Sequence, residues 1–300
     1  MEIRQLEHFV AVAEEQSFTR AARRLSYVQS ALSVSIQSLE RELGVRLLDR
    51  NTHRVELTDA GEALLPAVRQ TLTSVEQTRD VAAALKGVVR GTLRIGIMQA
   101  FGFLDLSALL GEFHRRHPDV EIQMRPSPGG SQAMLDELKR GEVDIVFASV
   151  MDEPPGVTTT ELGVENLCVV GAKELLAPRR ARVELGELTG SSFVDFPSGW
   201  GVRTVVDRAF AAAGLKRQVS IEVGDVGTFV ALVQEGLGVA IAPLSILPRG
   251  HRLEVRRLAS AVKWRVVMGR ASNRPMRAAA NAFATLVLER EDARGTSLRV

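Results

Sequence analysis

The sequence predicts an N-terminal all-α winged helix-turn-helix domain, a long linker helix and a C-terminal α/β domain. Three observations support this fold class. The chain has 300 residues, which is longer than a domain with a single hydrophobic core usually is. The first ninety residues show mainly helical apolar spacing, and from about residue 92 strand-like and helix-like segments alternate. We place the expected boundaries at residues 1–58, 59–90 and 91–300.

The composition excludes several classes of protein. Hydrophobic residues make up 45% and charged residues 25% of the chain, and no apolar run is long enough to span a bilayer. The N-terminus lacks the apolar stretch of a signal peptide, so we expect a cytoplasmic protein. Cys168 is the only cysteine, and no Cys and His cluster has zinc-ligand spacing, so we expect neither a disulfide nor a metal or cofactor.

Three amphipathic helices are predicted before residue 45. Apolar residues at helical spacing indicate the first helix over about 4–15. Ser17 is a suitable N-cap for the second helix, and Gly44 a suitable end for the third. Because only three or four residues join the second and third helices, the two must pack against each other as a helix-turn-helix.

The outward face of the third helix is almost free of charge, whereas its surroundings are basic. Residues 16–54 hold seven arginines against three acids, a local charge of 7 − 3 = +4. Neutral polar groups read base edges, and cations hold phosphates. The predicted reading residues are Gln29, Ser30, Ser33, Val34 and Gln37. The predicted phosphate-binding residues are Arg20, Arg23, Arg24, Arg50, His53 and Arg54. The alternative is an ordinary three-helix domain with a solvated polar face.

The stretch "RLLDRNTHRVELTDAG" favours the nucleic-acid interpretation. It places a short polar turn between two β-prone segments, which predicts a wing that carries Arg50 and Arg54. A winged helix-turn-helix is a DNA-binding arrangement.

The chain also resembles a known family. The pattern "LEHFVAVAEEQSFTRAARRLSYVQSALSVSIQSLERELGVRLLDR…HRVELTDAGEALL" looks like the DNA-binding domain of LysR-type transcriptional regulators. Val28 stands where that family usually has a Ser or Thr cap. The resemblance implies a non-enzymatic regulator that binds promoter DNA as a dimer or tetramer, contacts RNA polymerase and responds to a small-molecule effector. It implies an effector domain of two periplasmic-binding-protein-like lobes, one of about 92–162 and 267–300, the other of 163–266.

A long helix is predicted from Thr58 to about Lys86. Its apolar stripe has no obvious partner in its own domain. The resemblance favours a dimer interface like a short coiled coil, and the alternative is a helix that lies on the second domain.

The C-terminal alternation predicts parallel α/β sheets, in which ligands bind beyond the carboxyl ends of strands. Three loops meet that description and, with their flanking residues, give the predicted effector site: Met98, Gln99, Ala100, Phe101; Ser127, Gly129; Phe196, Ser198, Gly199, Trp200, Arg203. Each loop alone is equally compatible with an ordinary strand-to-helix connection. Together they suggest a small organic acid, with Arg203 available for its charge and an apolar part on Phe101 or Trp200.

A rival interpretation is a solute-binding protein or a transferase-like enzyme built on the α/β half. An exported binding protein needs an export signal, and an enzyme needs a reactive constellation. Neither stands out in the sequence, so we expect no catalytic residues.

Overall fold

The computed structural model describes residues 1–51, 54–84, 88–98, 104–176 and 181–297. The chain forms two compact units. The first contains Met1–Val88 and Arg140–Glu142, and the second contains Val89–Lys139 and Val143–Val300. Among the described residues, no helix is long and apolar enough to cross a membrane.

The described residues of the first unit form four helices and a two-stranded antiparallel sheet. Its elements are α1 (Ile3–Glu15), α2 (Phe18–Arg24), α3 (Gln29–Leu43), β1 (Leu48–Asn51), β2 (Arg54–Leu57) and α4 (Asp59–Ala84). Phe9, Leu32 and Ile36 are fully buried at the centre of the helical core.

Local sequence signals set the helix ends. The Ser17 hydroxyl accepts a hydrogen bond from the backbone N–H of Arg20 at 3.3 Å and caps α2. α3 begins at Gln29 although Val28 supplies no side-chain cap, and it ends at Gly44, whose φ of 72° favours glycine.

Two polar side chains fix the sheet against α3 and α4. Glu40 accepts hydrogen bonds from the backbone N–H groups of Leu47 and Leu48 at 2.8 and 3.2 Å. Thr58 donates to the carbonyl of Arg46 and accepts from the N–H of Gly61. A Cβ on Gly61 would lie 2.1 Å from the Leu47 carbonyl oxygen, so glycine is required at this crossing.

The first half of α4 packs inside the first unit. Val68 is buried, and Leu64, Leu65 and Leu72 pack against the same core as α1 and α3. The expectation that this stripe has no partner in its own domain is therefore wrong up to Leu72, because α1 presents a second apolar surface to it.

The second unit is α/β. In chain order its elements are β3 (Gly91–Ile97), α5 (Leu106–Arg116), β4 (Val120–Pro126), α6 (Gly130–Arg140), β5 (Ile145–Ser149), β6 (Val157–Asn166), β7 (Cys168–Gly171), α7 (Lys173–Leu176), β8 (Arg182–Val183), β9 (Ser192–Asp195), α8 (Gly201–Ala212), β10 (Gln218–Glu222), α9 (Val226–Gln234), β11 (Ala240–Ala242), β12 (Glu254–Leu258), β13 (Lys263–Ala271) and α10 (Ala278–Ser297).

The sheets are mixed, so the prediction of parallel sheets is correct for some strand pairs and wrong for others. A five-stranded sheet has the order β4-β3-β5-β13-β6, in which β3 is parallel to β4 and β5 whereas β13 is antiparallel to both its neighbours. A four-stranded sheet has the order β11-β7-β12-β8, and β9 pairs with β10 in parallel. The antiparallel strand is β13. The chain leaves the first sheet after β6, forms the second lobe and then returns to the first sheet as β13.

The two lobes change over at different residues from those expected. β6 and β13 pair from Val157 opposite Ala271 to Asn166 opposite Lys263. The first lobe therefore extends to residue 166 and resumes at residue 263, not at 162 and 267. The consecutive polar residues 158–161 obscured this strand in the sequence.

Candidate functional site

The outward face of α3 forms as its sequence predicts. Gln29, Ser30, Val34 and Gln37 are exposed and Ser33 is half-buried, whereas Leu32, Ile36 and Leu39 on the opposite side are fully buried. Val34 is 64% exposed and places an apolar group on this face. The helix therefore presents a neutral, partly apolar surface that can approach base edges.

Two residues immediately before α3 extend this surface and were not predicted. Tyr27 is 39% and Val28 is 68% exposed. The sequence gives little indication that these two residues are exposed, because two apolar residues between helices are equally typical of a buried connection.

The six residues expected to hold phosphates are not equivalent. Arg24 pairs with Glu14 at 2.8 Å and Glu15 at 3.4 Å, and Arg20 lies 3.6 Å from Glu15. The carboxylates of α1 therefore already neutralise part of the charge of both guanidinium groups. These ion pairs join residues of different helices, so the sequence pattern did not predict them. Arg23 is exposed and has no ion pair among the described residues. His53 lies outside the described residues, as do the side chains of Arg50 and Arg54, whose backbones belong to β1 and β2.

A buried histidine ties α1 to α3. His8 is 3% exposed, and its Nδ1 shares a hydrogen bond of 2.7 Å with the Ser35 hydroxyl. Its ring meets Tyr27 edge-on at 4.8 Å. Burial lowers the pKa of His8 below its ordinary 6.5, and this outweighs the opposing effect of Glu7.

We expect this histidine to make stability pH-dependent. Since its folded pKa is lowered, the unfolded chain binds more protons near pH 6.5, and the free energy of unfolding falls as the pH drops through that value. His8→Gln does not titrate and should flatten the dependence between pH 7.5 and 5.5, as measured by thermal unfolding. Identical pH profiles for the two proteins would contradict this.

The predicted effector loops partly converge between the two lobes of the second unit. They surround a cavity of about 20 Å³, room for about one water molecule. Its walls are Met98, Ser127, Gly130, Ser131, Met134, Phe196, Trp200, Gly201, Val202 and Trp264. Four predicted residues meet here: Met98, Ser127, Phe196 and Trp200. Gln99, Ala100 and Phe101 lie outside the described residues.

Aromatic stacking builds the wall of this cavity. The Trp200 ring lies parallel to Phe196 at 5.6 Å, and Phe196 stacks on Phe229 at 4.4 Å. The indole N–H of Trp200 donates to the carbonyl of Pro128 across the cleft at 3.3 Å. Trp264, fully buried at the start of β13, was missed because it is distant in sequence from every predicted loop.

A second pocket of about 340 Å³ adjoins this cavity. It is bounded by Ser131 and Ser149 from the first lobe and by Gly199, Gly201 and Thr204 from the second. Gly129 and Ser198 border neither pocket. Both cavities thus lie along one cleft, where α6 and α8 begin.

Arg203 does not line either pocket. Its Nε lies 2.7 Å from Asp207, and its Nη1 lies 3.1 Å from Glu222 and donates to the carbonyl of Phe196 at 3.0 Å. The expectation that it meets an effector's charge is therefore not supported, because nearby carboxylates already occupy the guanidinium group.

Glycines let the two lobes touch. A Cβ on Gly130 would lie 2.3 Å from the Gly199 carbonyl oxygen, and one on Gly201 would lie 2.3 Å from the Ser149 Cβ. The contacting atoms are a backbone oxygen and a Cβ, and neither can move aside as the end of a flexible side chain could. The lobes can therefore approach this closely only while both positions lack a side chain.

Gly201→Ala should open the cleft. The added methyl group overlaps Ser149, so we expect about 1–3 kcal/mol of destabilisation and a lower Tm. The matched control is Gly186→Ala, since nothing lies within 4 Å of a Cβ there. Equal melting curves for the two variants would exclude the contact.

Comparisons with known proteins agree with this geometry. Residues 3–62 match the bacterial regulatory helix-turn-helix model of the lysR family, and residues 86–292 match the LysR substrate binding domain. The transcriptional regulator ShiR of Corynebacterium glutamicum is 37% identical over 243 residues, 80% of this chain and 82% of that protein. BenM of Acinetobacter baylyi is 32% identical over 249 residues, 82% and 81% of the two chains.

Solved structures show the same architecture. A full-length OxyR variant of Pseudomonas aeruginosa matches with a TM-score of 0.74 and 25% identity, over 96% of this chain and 93% of that one. Full-length CbnR complexed with its target DNA matches with a TM-score of 0.66 and 25% identity, over 97% and 100%.

Proposed function

The chain belongs to the LysR family of DNA-binding transcriptional regulators with effector-binding domains, and from this we propose which of its residues read DNA and what its effector is. In this proposal residues 1–58 bind promoter DNA, 59–90 link and dimerise, and 91–300 bind the effector. The exposed neutral face of α3 is the observation that carries the DNA-binding part.

The reading residues are Gln29, Ser30, Ser33, Val34 and Gln37. Amide and hydroxyl groups suit base edges, and Val34 suits the thymine methyl group. Arg23, Arg50, His53 and Arg54 hold phosphates on either side, with Arg20 and Arg24 contributing less because of Glu14 and Glu15.

Arg23→Ala and Gln37→Ala should separate these roles. Loss of a phosphate contact weakens binding to all sequences and lowers the slope of log K against log salt by about 1 per contact, whereas loss of a base contact relaxes sequence preference by about 1–3 kcal/mol. Fluorescence anisotropy over a salt series measures both. Arg270→Ala, which changes an exposed arginine on β13, is the control. An unchanged salt slope for Arg23→Ala would remove that residue from the interface.

Assembly and regulation follow from the same proposal. The chain acts in the cytoplasm as a dimer through α4, or as a tetramer, on a roughly palindromic promoter site, and it contacts RNA polymerase. An effector that prefers one arrangement of the lobes shifts the population of assemblies, and with it the spacing of the reading helices.

The effector in this proposal is a small organic acid with an apolar or aromatic part. The adjoining pocket of about 340 Å³ has room for such a molecule. The aromatic cavity holds only about one water molecule, so Phe196, Trp200 and Trp264 would contact the apolar part only when the cleft opens. Arg203 is occupied, and the Ser127 hydroxyl donates to Glu137 at 3.0 Å, so the acid group would be held by the Ser131 hydroxyl and by backbone N–H groups where α6 and α8 begin.

Calorimetric titration of the full chain tests this proposal. We expect aromatic carboxylates to bind and the corresponding neutral amides to bind more weakly, because helix N-termini favour anions. Phe196→Ala should weaken both ligands together. Exclusive binding of cations or sugars would overturn the proposal.

A further inference from the structure

A row of basic side chains crosses the second lobe away from the cleft. In the four-stranded sheet Arg257 of β12 is directly opposite Cys168 of β7 on one side and Arg182 of β8 on the other. Residues in register point to the same face of a sheet, and adjacent strands lie about 4.8 Å apart. Two guanidinium-bearing side chains therefore stand next to each other.

These two arginines are exposed. Neither has an ion pair or a side-chain hydrogen bond within the described part of the chain. By contrast Arg256, on the same strand, pairs with Glu254 at 2.8 Å. Like charges directly opposite each other destabilise a sheet. An anion bound between them would relieve this repulsion.

A pocket is present at this row. It has a volume of about 550 Å³, and Leu244, Val255, Cys168 and the three arginines contribute to its walls. That volume is in the range of small-molecule sites, which are mostly apolar with a few convergent polar groups. It shares no lining residue with the cleft cavities.

We propose that Arg182 and Arg257 form a second ligand site, separate from the effector cleft, for a small organic dianion of the phosphate-ester or dicarboxylate class. Each guanidinium group can donate two parallel hydrogen bonds to such a group, and two of them together balance its charge. Leu244 and Val255 would contact the organic part.

Thermal unfolding of the full chain in phosphate-free, low-salt buffer tests the site. The probes are inorganic phosphate, phenyl phosphate and succinate at about 10 mM, tenfold above a Kd of about 1 mM. We expect at least one probe to raise the Tm by about 3–6 °C. The response identifies the class: phenyl phosphate alone indicates an ester, succinate a dicarboxylate, and all three a general anion site.

The variants distinguish a binding role from a structural one. Arg182→Gln together with Arg257→Gln should abolish the shift and, without anion, leave the Tm equal to or above that of the parent because repulsion is relieved. Arg270→Gln, on an exposed arginine outside the pocket, should respond as the parent does. An equal shift in the double variant, or a double variant destabilised in anion-free buffer, would overturn the proposal.

A Tm of the unmodified chain that is insensitive to every probe would exclude the site.

Discussion

Val34→Glu should abolish specific DNA binding while the protein stays folded. Val34 lies mid-way along the outward face of α3 and is 64% exposed, so a carboxylate there meets solvent in the free protein but phosphates and base edges in the complex. Juxtaposed like charges cost several kcal/mol, so we expect Kd to rise by about 100-fold or more. Fluorescence anisotropy with the promoter fragment measures the loss.

The control for this variant is Val164→Glu, which places the same change at an exposed valine on β6. It should bind DNA as the parent does. Surface substitutions of this kind change stability by about 0.5 kcal/mol or less, so both variants should keep the parent Tm. Retained operator affinity in Val34→Glu would show that α3 does not enter the groove.

Arg217→Met should strongly destabilise the effector domain. Arg217 forms an ion pair with Asp195, and their side chains are 4% and 5% exposed. Burial raises the pKa of Asp195 in spite of the attraction of Arg217. Removal of Arg217 leaves the buried Asp195 carboxylate with only the more distant Arg203, at 3.8 Å, and the loss of a buried partner costs about 3–5 kcal/mol. For a domain of this size the Tm should fall by about 6–20 °C, measurable by calorimetry.

The double variant Asp195→Asn with Arg217→Met separates the charge effect from packing. The Arg217 guanidinium group also lies over the rings of Phe193 and Phe210, at 5.1 and 5.6 Å, and methionine keeps much of that contact. The double variant should therefore recover most of the lost stability. If it is no more stable than Arg217→Met, the loss is due to packing rather than to the unpaired carboxylate.

Much of the first unit could be predicted because its signals are local. Ser17 and Gly44 mark helix ends by their own chemistry, and the spacing of Leu32, Ile36 and Leu39 determines which face of α3 is buried. Once that face is buried, Gln29, Val34 and Gln37 must be exposed. A reading helix is therefore largely determined by one amphipathic segment.

The cavity between the lobes was predicted only in part, because distant segments of the chain assemble it. Loops that follow strands identified Met98, Ser127, Phe196 and Trp200. Trp264 enters the cavity because β13 returns from the other lobe between β5 and β6, and helical or strand periodicity does not encode which strands become neighbours.

The sequence by itself determined the helices of the first unit, the neutral face of α3 and the family. Only the tertiary structure decided which charges are available. Arg24 and Arg203 are as basic in the sequence as Arg23 and Arg257, yet the former pair with Glu14 and Asp207, whereas the latter pair with no acid in the described chain. The reason is physical: a side chain's charge is a local property, but its neutralisation depends on which distant carboxylate the fold brings within a few ångströms.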